Sequence, residues 1–182
     1  MDIVEASKGP AVLITIAKGD RIFSTGFDLE YWGSDPSNVF TSLPKFQRIL
    51  TRLMTLSIPS LCVLNGHAFA AGLQIPLAHD FRIMADGRGK LGLIELKMGI
   101  PLMGPFAALI GSTLPVQTCR KLHYGYSYTA KEALKDQIVS ELYKDEAELM
   151  EKIKQFADFF APMGQYRKSI KNNKQYLFKD AL

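Results

Sequence analysis

Cysteine is too scarce in this chain to build a disulfide framework, and the two that occur, Cys62 and Cys119, are not spaced as metal ligands. Cys62 sits in an apolar run and Cys119 beside Arg120 and Lys121, with no second Cys or His at ligand spacing around either. No zinc site is therefore expected, and reduced thiols in an intracellular compartment are. No apolar stretch is long enough to span a bilayer, and the first ten residues, MDIVEASKGP, carry neither a signal-peptide core nor an arginine-rich amphipathic presequence. The chain reads as soluble. Internal repeats, low-complexity tracts and linkers are missing too, which leaves one domain. Its 182 residues are 47% hydrophobic and 22% charged, in the range of one α/β or α+β domain. A chain of this size buries roughly two-thirds to three-quarters of its unfolded surface, so no disulfide is needed to hold it.

Acidic residues are in the minority, 18 Asp and Glu against 22 Lys and Arg, for a net charge of +4. The excess gathers near the C-terminus at Arg167, Lys168, Lys171, Lys174 and Lys179. That cluster suits a phosphate-bearing partner, although a solvated basic helix is the plainer reading. No nucleic-acid partner is expected.

Along the chain, Ala11 to Ala17 (AVLITIA) is an apolar, β-branched run of strand length, and being apolar on both faces it suits an interior strand rather than an edge. Lys18-Gly19-Asp20 turns the chain. After FSTGFDLEYW and the polar loop GSDPSN comes a helix with Phe46, Ile49, Leu50 and Leu53 at helical spacing, for which Ser42 and Pro44 are start signals. Pro59 precedes a second strand, Ser60 to Leu64, which ends in Asn65-Gly66 and leads through HAFAAG into a helix ending near His79. A third strand at Asp80 to Ala85, a short one at Lys90 to Leu93 and a helix from about Pro105 to Ile110 complete the centre. This alternation implies crossover connections and an α/β class. The last third reads as helical, with Thr129 capping TAKEAL and Leu149, Ile153, Phe156, Ala157 and Phe160 forming one apolar stripe.

Three segments carry chemistry. In Phe23-Ser24-Thr25-Gly26-Phe27-Asp28-Leu29, small residues come after a strand and would let a ligand approach the backbone, while Asp28 can cap the next element. Turn geometry alone also accounts for them. In Asn65-Gly66-His67-Ala68-Phe69-Ala70-Ala71-Gly72, small residues sit at a helix start, where unpaired N–H groups can stabilise negative charge on a ligand oxygen. Close helix packing is the alternative, and His67 reads as a packed, hydrogen-bonded side chain rather than a catalyst. In Leu91 to Pro101 (LGLIELKMGIP), Glu95 is the only acidic residue, flanked by Leu93, Ile94, Leu96 and Met98. A carboxylate buried there would be a better base near neutral pH, and one facing solvent would be ordinary; periodicity assigns neither face.

Together the three segments resemble the crotonase (enoyl-CoA hydratase/isomerase) superfamily, with GFD at 26–28, NGHAFAAG at 65–72 and LGLIELKMG at 91–99 in the family's order and separation. The wording is closest to the Δ3,Δ2-enoyl-CoA isomerases of plant and peroxisomal type. The resemblance implies a crotonase-like ββα superhelix with a C-terminal helical extension, divided as a core at 1–125 and a helical region at 126–182 of the same domain. It implies that the Phe27 and Ala71 N–H groups form an oxyanion hole for the thioester oxygen and that Glu95 is the catalytic carboxylate. Ser24, Thr25, Gly26, Leu29 and Gly72 would touch the substrate, and Arg21, Lys168 and Lys171 would meet CoA phosphates. Hydratases of the family carry a second glutamate where this chain has Gln74, and an amide cannot act as a general base. The implied activity is thus conversion of 3-enoyl-CoA to 2-trans-enoyl-CoA by one glutamate, in fatty-acid β-oxidation. Coenzyme A is part of the substrate, and no separate cofactor or metal is implied.

The family's assembly through C-terminal helices implies a homo-oligomer, a trimer or hexamer, and gives the Leu149 to Phe160 stripe a possible second role as an interface. Relatives carry a strand pair and a helix before the strand that corresponds to Ala11–Ala17. Their absence here is expected to expose a sheet edge, which another subunit could cover, and to weaken ligand binding. Pro76 inside a helix and Asp136-Gln137 in place of Leu-Gly are further departures. These leave a second reading, a non-catalytic crotonase-like structural or assembly subunit; a hydratase or acyl-CoA hydrolase is disfavoured by Gln74. Relatives' location implies a peroxisome or mitochondrion, yet Asp180-Ala181-Leu182 does not match a Ser-Lys-Leu address.

Overall fold

The computed structural model describes residues 1–179 and 181. Asp180 and Leu182, two residues of the C-terminal tripeptide, lie outside the described residues. Strands β1 (Leu13–Ile16), β3 (Ser60–Leu64), β5 (Phe81–Ala85) and β8 (Glu141–Tyr143) form one sheet in the order β1-β3-β5-β8, parallel throughout. Strands β2 (Ile22–Ser24), β4 (His67–Phe69), β6 (Leu91–Gly92) and β7 (Ser127–Tyr128) form a second in the order β2-β4-β6-β7, with only β6 and β7 antiparallel among the described residues. The helices are α1 (Asp2–Ala6), α2 (Leu29–Ser34), α3 (Ser37–Met54), α4 (Ala71–Leu77), α5 (Gly104–Thr113), α6 (Val116–His123), α7 (Ala130–Lys135), α8 (Glu146–Phe160) and α9 (Arg167–Leu177). The expected α/β class and crossover connections are observed.

The first sheet separates two cores. Leu64, Leu73, Met84, Leu91, Leu109 and Tyr128 belong to the larger, and Leu61, Val63, Ile83 and Tyr143 to the smaller, which α8 covers with Leu149, Ile153 and Phe156. The α8 stripe therefore packs within the chain, and Phe81 sits against both Phe156 and Phe160. Strand β3 is buried at every residue, as its unbroken apolar run requires. Burial at Cys62 pushes the thiol well above its ordinary range, so it is an inert core residue.

Four expectations need correction. Strand β1 is an edge strand, not an interior one: Leu13 packs on the larger core and Ile14 on the smaller, while Ile16 is 48% exposed. Apolarity on both faces reports what lies above and below a strand, not what pairs beside it. Helix α3 begins at Ser37 rather than at Ser42 or Pro44. Asp35 Oδ1 accepts from Ser37 N (2.8 Å), and Pro44 lies inside the helix, where Ser42 Oγ donates to Asn38 O. The predicted stripe holds at Phe46, Leu50 and Leu53, but Ile49 stands at its margin, 44% exposed. The last third is not purely helical, since β7 and β8 complete the two sheets; at two and three residues they are too short to display alternation.

The C-terminal basic cluster also divides. Lys174 is buried and donates to Asp80 Oδ2 (2.6 Å) and Ile58 O (3.0 Å), which ties α9 to the start of β3 and β5. Asp80 also accepts from Ser60 N and Oγ. Burial draws the Lys174 ammonium below the usual lysine value, against the pull of Asp80. Arg167 donates to Ser7 Oγ and Gly9 O, whereas Lys168, Lys171 and Lys179 are exposed. No helix among the described residues is long and apolar enough to cross a membrane.

Candidate active site

Asn65 and Gly66 build the frame of the site rather than its surface. Asn65 Nδ2 donates to Ala17 O (2.7 Å) and Gly19 O, so it fastens the turn between β1 and β2 to the end of β3. A Cβ on Gly66 would lie 2.5 Å from the Arg21 carbonyl carbon, and His67 N donates to Arg21 O, so only glycine admits this approach. His67 Nδ1 accepts from Lys90 N (3.0 Å), the packed role expected of it. Gly72 has the same function as Gly66: a Cβ there would meet Ser24 O at 2.2 Å. It brings α4 against β2 and does not line the cavity.

These contacts draw the first two segments together. Gly26 has φ +95°, and a Cβ on it would stand 3.1 Å from Ala71 N, so the loop before Phe27 runs directly beside the first N–H of α4. That N–H has no partner inside the helix. Ala70, the cap, holds φ +51° and ψ −131°, a conformation that L-residues adopt only under constraint, and its N–H is tied to Gly92 O (3.0 Å). The Phe27 ring stacks on Trp32 at 4.3 Å and meets Phe46 edge-on at 5.0 Å, while Asp28 caps α2 by accepting from Tyr31 N. Side-chain packing therefore sets where the Phe27 backbone lies.

A cleft of about 90 Å³ opens at this junction, with Thr25, Phe27, Leu29, Ala71 and Glu95 among its walls. Among the described residues, Glu95 is the only ionisable side chain lining it. It stands before a 3-10 turn, Leu96–Met98, and its carbonyl accepts from Met98 N (3.0 Å) and Ile100 N (2.9 Å). Its side chain is half-buried, and Oε2 is shielded from solvent with no partner among the described residues. The facing question that periodicity left open is thereby answered. Gln74, one helical turn beyond Ala71, is fully buried, and both amide atoms lack a partner among the described residues.

Of the residues singled out by sequence, Ser24 and Gly26 shape the loop, with Gly26 N donating to Ser24 Oγ (3.3 Å), but do not line the cleft. Arg21, Lys168 and Lys171 are exposed and lie outside it. The apolar walls, Trp32, Met98, Leu102, Met103 and Phe106, escape sequence reading. The non-periodic apolar run Ile100-Pro101-Leu102-Met103 after Gly99 was the available signal, since such a run in a loop needs something to cover.

A profile of the family described as Enoyl-CoA hydratase/isomerase matches residues 4–176. The chain belongs to that family. It is 33% identical over 151 residues to enoyl-CoA delta isomerase 3 of Arabidopsis thaliana, an alignment covering 79% of this chain and 62% of that protein. Against the peroxisomal enoyl-CoA delta isomerase 1 of the same plant, identity is 30% over 149 residues, covering 81% and 62%. The chain thus spans about three-fifths of these relatives' length. The structure of human mitochondrial delta3-delta2-enoyl-CoA isomerase superposes with a TM-score of 0.85 at 23% identity, covering 99% of this chain and 70% of that one. The fold is the crotonase α/β fold, with its C-terminal helical extension.

Proposed function

We propose that this member of the enoyl-CoA hydratase/isomerase family is an isomerase that shifts the double bond of a 3-enoyl-CoA to 2-trans-enoyl-CoA in fatty-acid β-oxidation. The observation that carries the reading is an apolar cleft in which Glu95 is the single ionisable group among the described residues, and whose wall also holds Phe27 and Ala71. The Phe27 and Ala71 N–H groups donate to the thioester oxygen, and Glu95 removes a proton from C2. The resulting enolate is stabilised by these preorganised donors, each worth roughly 3 kcal/mol of barrier. Protonated Glu95 then delivers the proton to C4. A double-bond shift needs one such group, whereas hydration benefits from a second carboxylate, and the buried Gln74 amide offers none.

Thr25 and Leu29 line the cleft and would hold the acyl or pantetheine part, with Ser24, Gly26 and Gly72 keeping the loop and helix in register. Arg21, exposed outside the cleft, would meet a CoA phosphate. Lys168 and Lys171, on α9, would serve a CoA held by a neighbouring copy in a homo-oligomer. Coenzyme A enters as part of the substrate.

The open edge at β1 favours one alternative, a non-catalytic subunit whose edge a partner covers. Product analysis with 3-enoyl-CoA and 2-enoyl-CoA separates the readings: the isomerase interconverts them and yields no 3-hydroxyacyl-CoA. Glu95→Gln should lower turnover roughly 10²–10⁴-fold, the usual weight of a positioned acid/base group. Near-normal turnover in that variant would sink the assignment.

A further inference from the structure

The cleft ends on a side chain that it shares with a second cavity. Its mouth is set by Leu29, Met98 and Ile100, which are 49%, 48% and 42% exposed, whereas Phe106 is 4% exposed and stands at the deep end. Behind Phe106 lies a separate space of about 200 Å³, against about 90 Å³ for the cleft. Leu50 and Met54 of α3 and Leu109 of α5 are its buried walls, and Arg48 and Thr51 stand where it nears the surface. Among the described residues, Phe106 is the one that lines both spaces.

The ring is held where it is. Phe106 lies in the first turn of α5, which Ala107 N fastens by donating to Met103 O (3.0 Å). Its ring meets Phe46 edge-on with centroids 5.9 Å apart, Phe46 meets Phe27 at 5.0 Å, and Phe27 stacks on Trp32 at 4.3 Å. Four rings thus run in series along the cleft and end at its floor. Such contacts stabilise a pair beyond the area it buries, so swinging Phe106 into the second cavity would forfeit its contact with Phe46. A close-packed interior yields to an added methylene only by displacing something else.

We infer that Phe106 is a partition that sets acyl-chain length: the cleft takes short acyl groups, and the second cavity is space that the ring denies to longer ones. The inference rests on reading the cleft as the acyl site of an isomerase. In that reading the thioester lies between Glu95 and the Ala71 N–H, and the hydrocarbon tail continues from there along the apolar walls toward Phe106. Each further methylene that finds buried room is worth roughly fourfold in binding, and one that meets the ring gains nothing. The difference compounds with every carbon. Phe106 touches the tail and not the reacting atoms, so it governs specificity rather than proton transfer.

The test is a series of 3-enoyl-CoA substrates from six to twelve carbons. In the parent chain kcat/KM should fall about tenfold or more across the series. In Phe106→Ala the ratio of twelve-carbon to six-carbon efficiency should rise about tenfold over the parent's ratio. Phe106→Leu keeps an apolar side chain at the site, covers the case in which the alanine variant fails to fold, and should raise the ratio about threefold. A parent that handles both lengths alike, or folded variants with the parent's ratio, overturns the partition. A crystal structure of either variant with dodecanoyl-CoA should place the chain end between Leu50 and Leu109, and a tail that leaves by the mouth overturns it as well. Calorimetry with saturated acyl-CoA of the same lengths reads the ratio without turnover. A parent that binds with this length profile yet makes no 2-enoyl-CoA would refute the isomerase reading and leave the partition standing.

Discussion

Phe27 illustrates how a main-chain function becomes sensitive to a side chain. A backbone N–H donor ought by itself to survive substitution of the side chain it carries. In the structure, however, the ring is locked between Trp32 and Phe46, so Phe27→Ala frees the loop that carries the donor. We expect a loss of at least tenfold in kcat with a smaller change in KM, while Phe27→Tyr retains most of it; steady-state kinetics on 3-enoyl-CoA checks this. His79 gives a prediction in pH. It is buried, its Nδ1–H donates to Ile75 O (2.8 Å) and its Nε2 accepts from Thr15 Oγ1 (2.8 Å), an arrangement for the neutral ring. Burial leads the causes that lower its pKa. The unfolded chain binds a proton near pH 6.5 that the folded chain refuses, so this contribution is present above that pH and lost below it. Urea titrations at pH 7.5 and 5.5 should show a stability difference that shrinks in His79→Gln. Among the residues that line the cleft, Glu95, Thr25, Leu29, Phe27 and Ala71 lie in the short local motifs that carry the family resemblance. Trp32 and Phe106 do not, since only the fold brings α2 and α5 to the same cleft.

Helix α9 is held by a buried ion pair in its last turn. Removing Lys174 leaves the Asp80 carboxylate facing the interior without its cation, a change that typically costs about 3–5 kcal/mol where both partners are shielded. Lys174→Ala should therefore lower the unfolding midpoint sharply, and Lys174→Arg, unable to reproduce the single-point geometry, should recover only part. Helix α7 is secured differently, by a capping box in which Thr129 and Glu132 satisfy each other's backbone groups. Thr129→Ala should cost about 1 kcal/mol, measurable by chemical denaturation. The capping box was readable as TAKEAL because its whole grammar fits in four residues. The role of Lys174 was not, because its partners are 94 and 116 residues away and its neighbours are exposed cations. For the same reason β1 was legible as a strand but not as an edge, and Pro44 resembles a start signal although Asp35 has already opened the helix.

At the scale of the molecule, the two sheets and both cores are assembled by residues that also position the cleft. Binding tests the function of that whole. Calorimetry with a non-hydrolysable acyl-CoA should give saturable one-site binding, weakened by Phe27→Ala and retained in Glu95→Gln; no saturable heat would point to the subunit without turnover.

Strand β8 has a consequence for how the protein is made. It occupies the far side of β5 from β3, yet it is Glu141–Tyr143, and the latch to Asp80 waits for Lys174. At synthesis rates of roughly 5–20 residues per second, the 94 residues between Asp80 and Lys174 take about 5–20 s to emerge. Until Tyr143 has emerged the nascent chain carries an unfinished parallel sheet, and from there to Lys174 a complete sheet without its latch, states that expose apolar surface during synthesis.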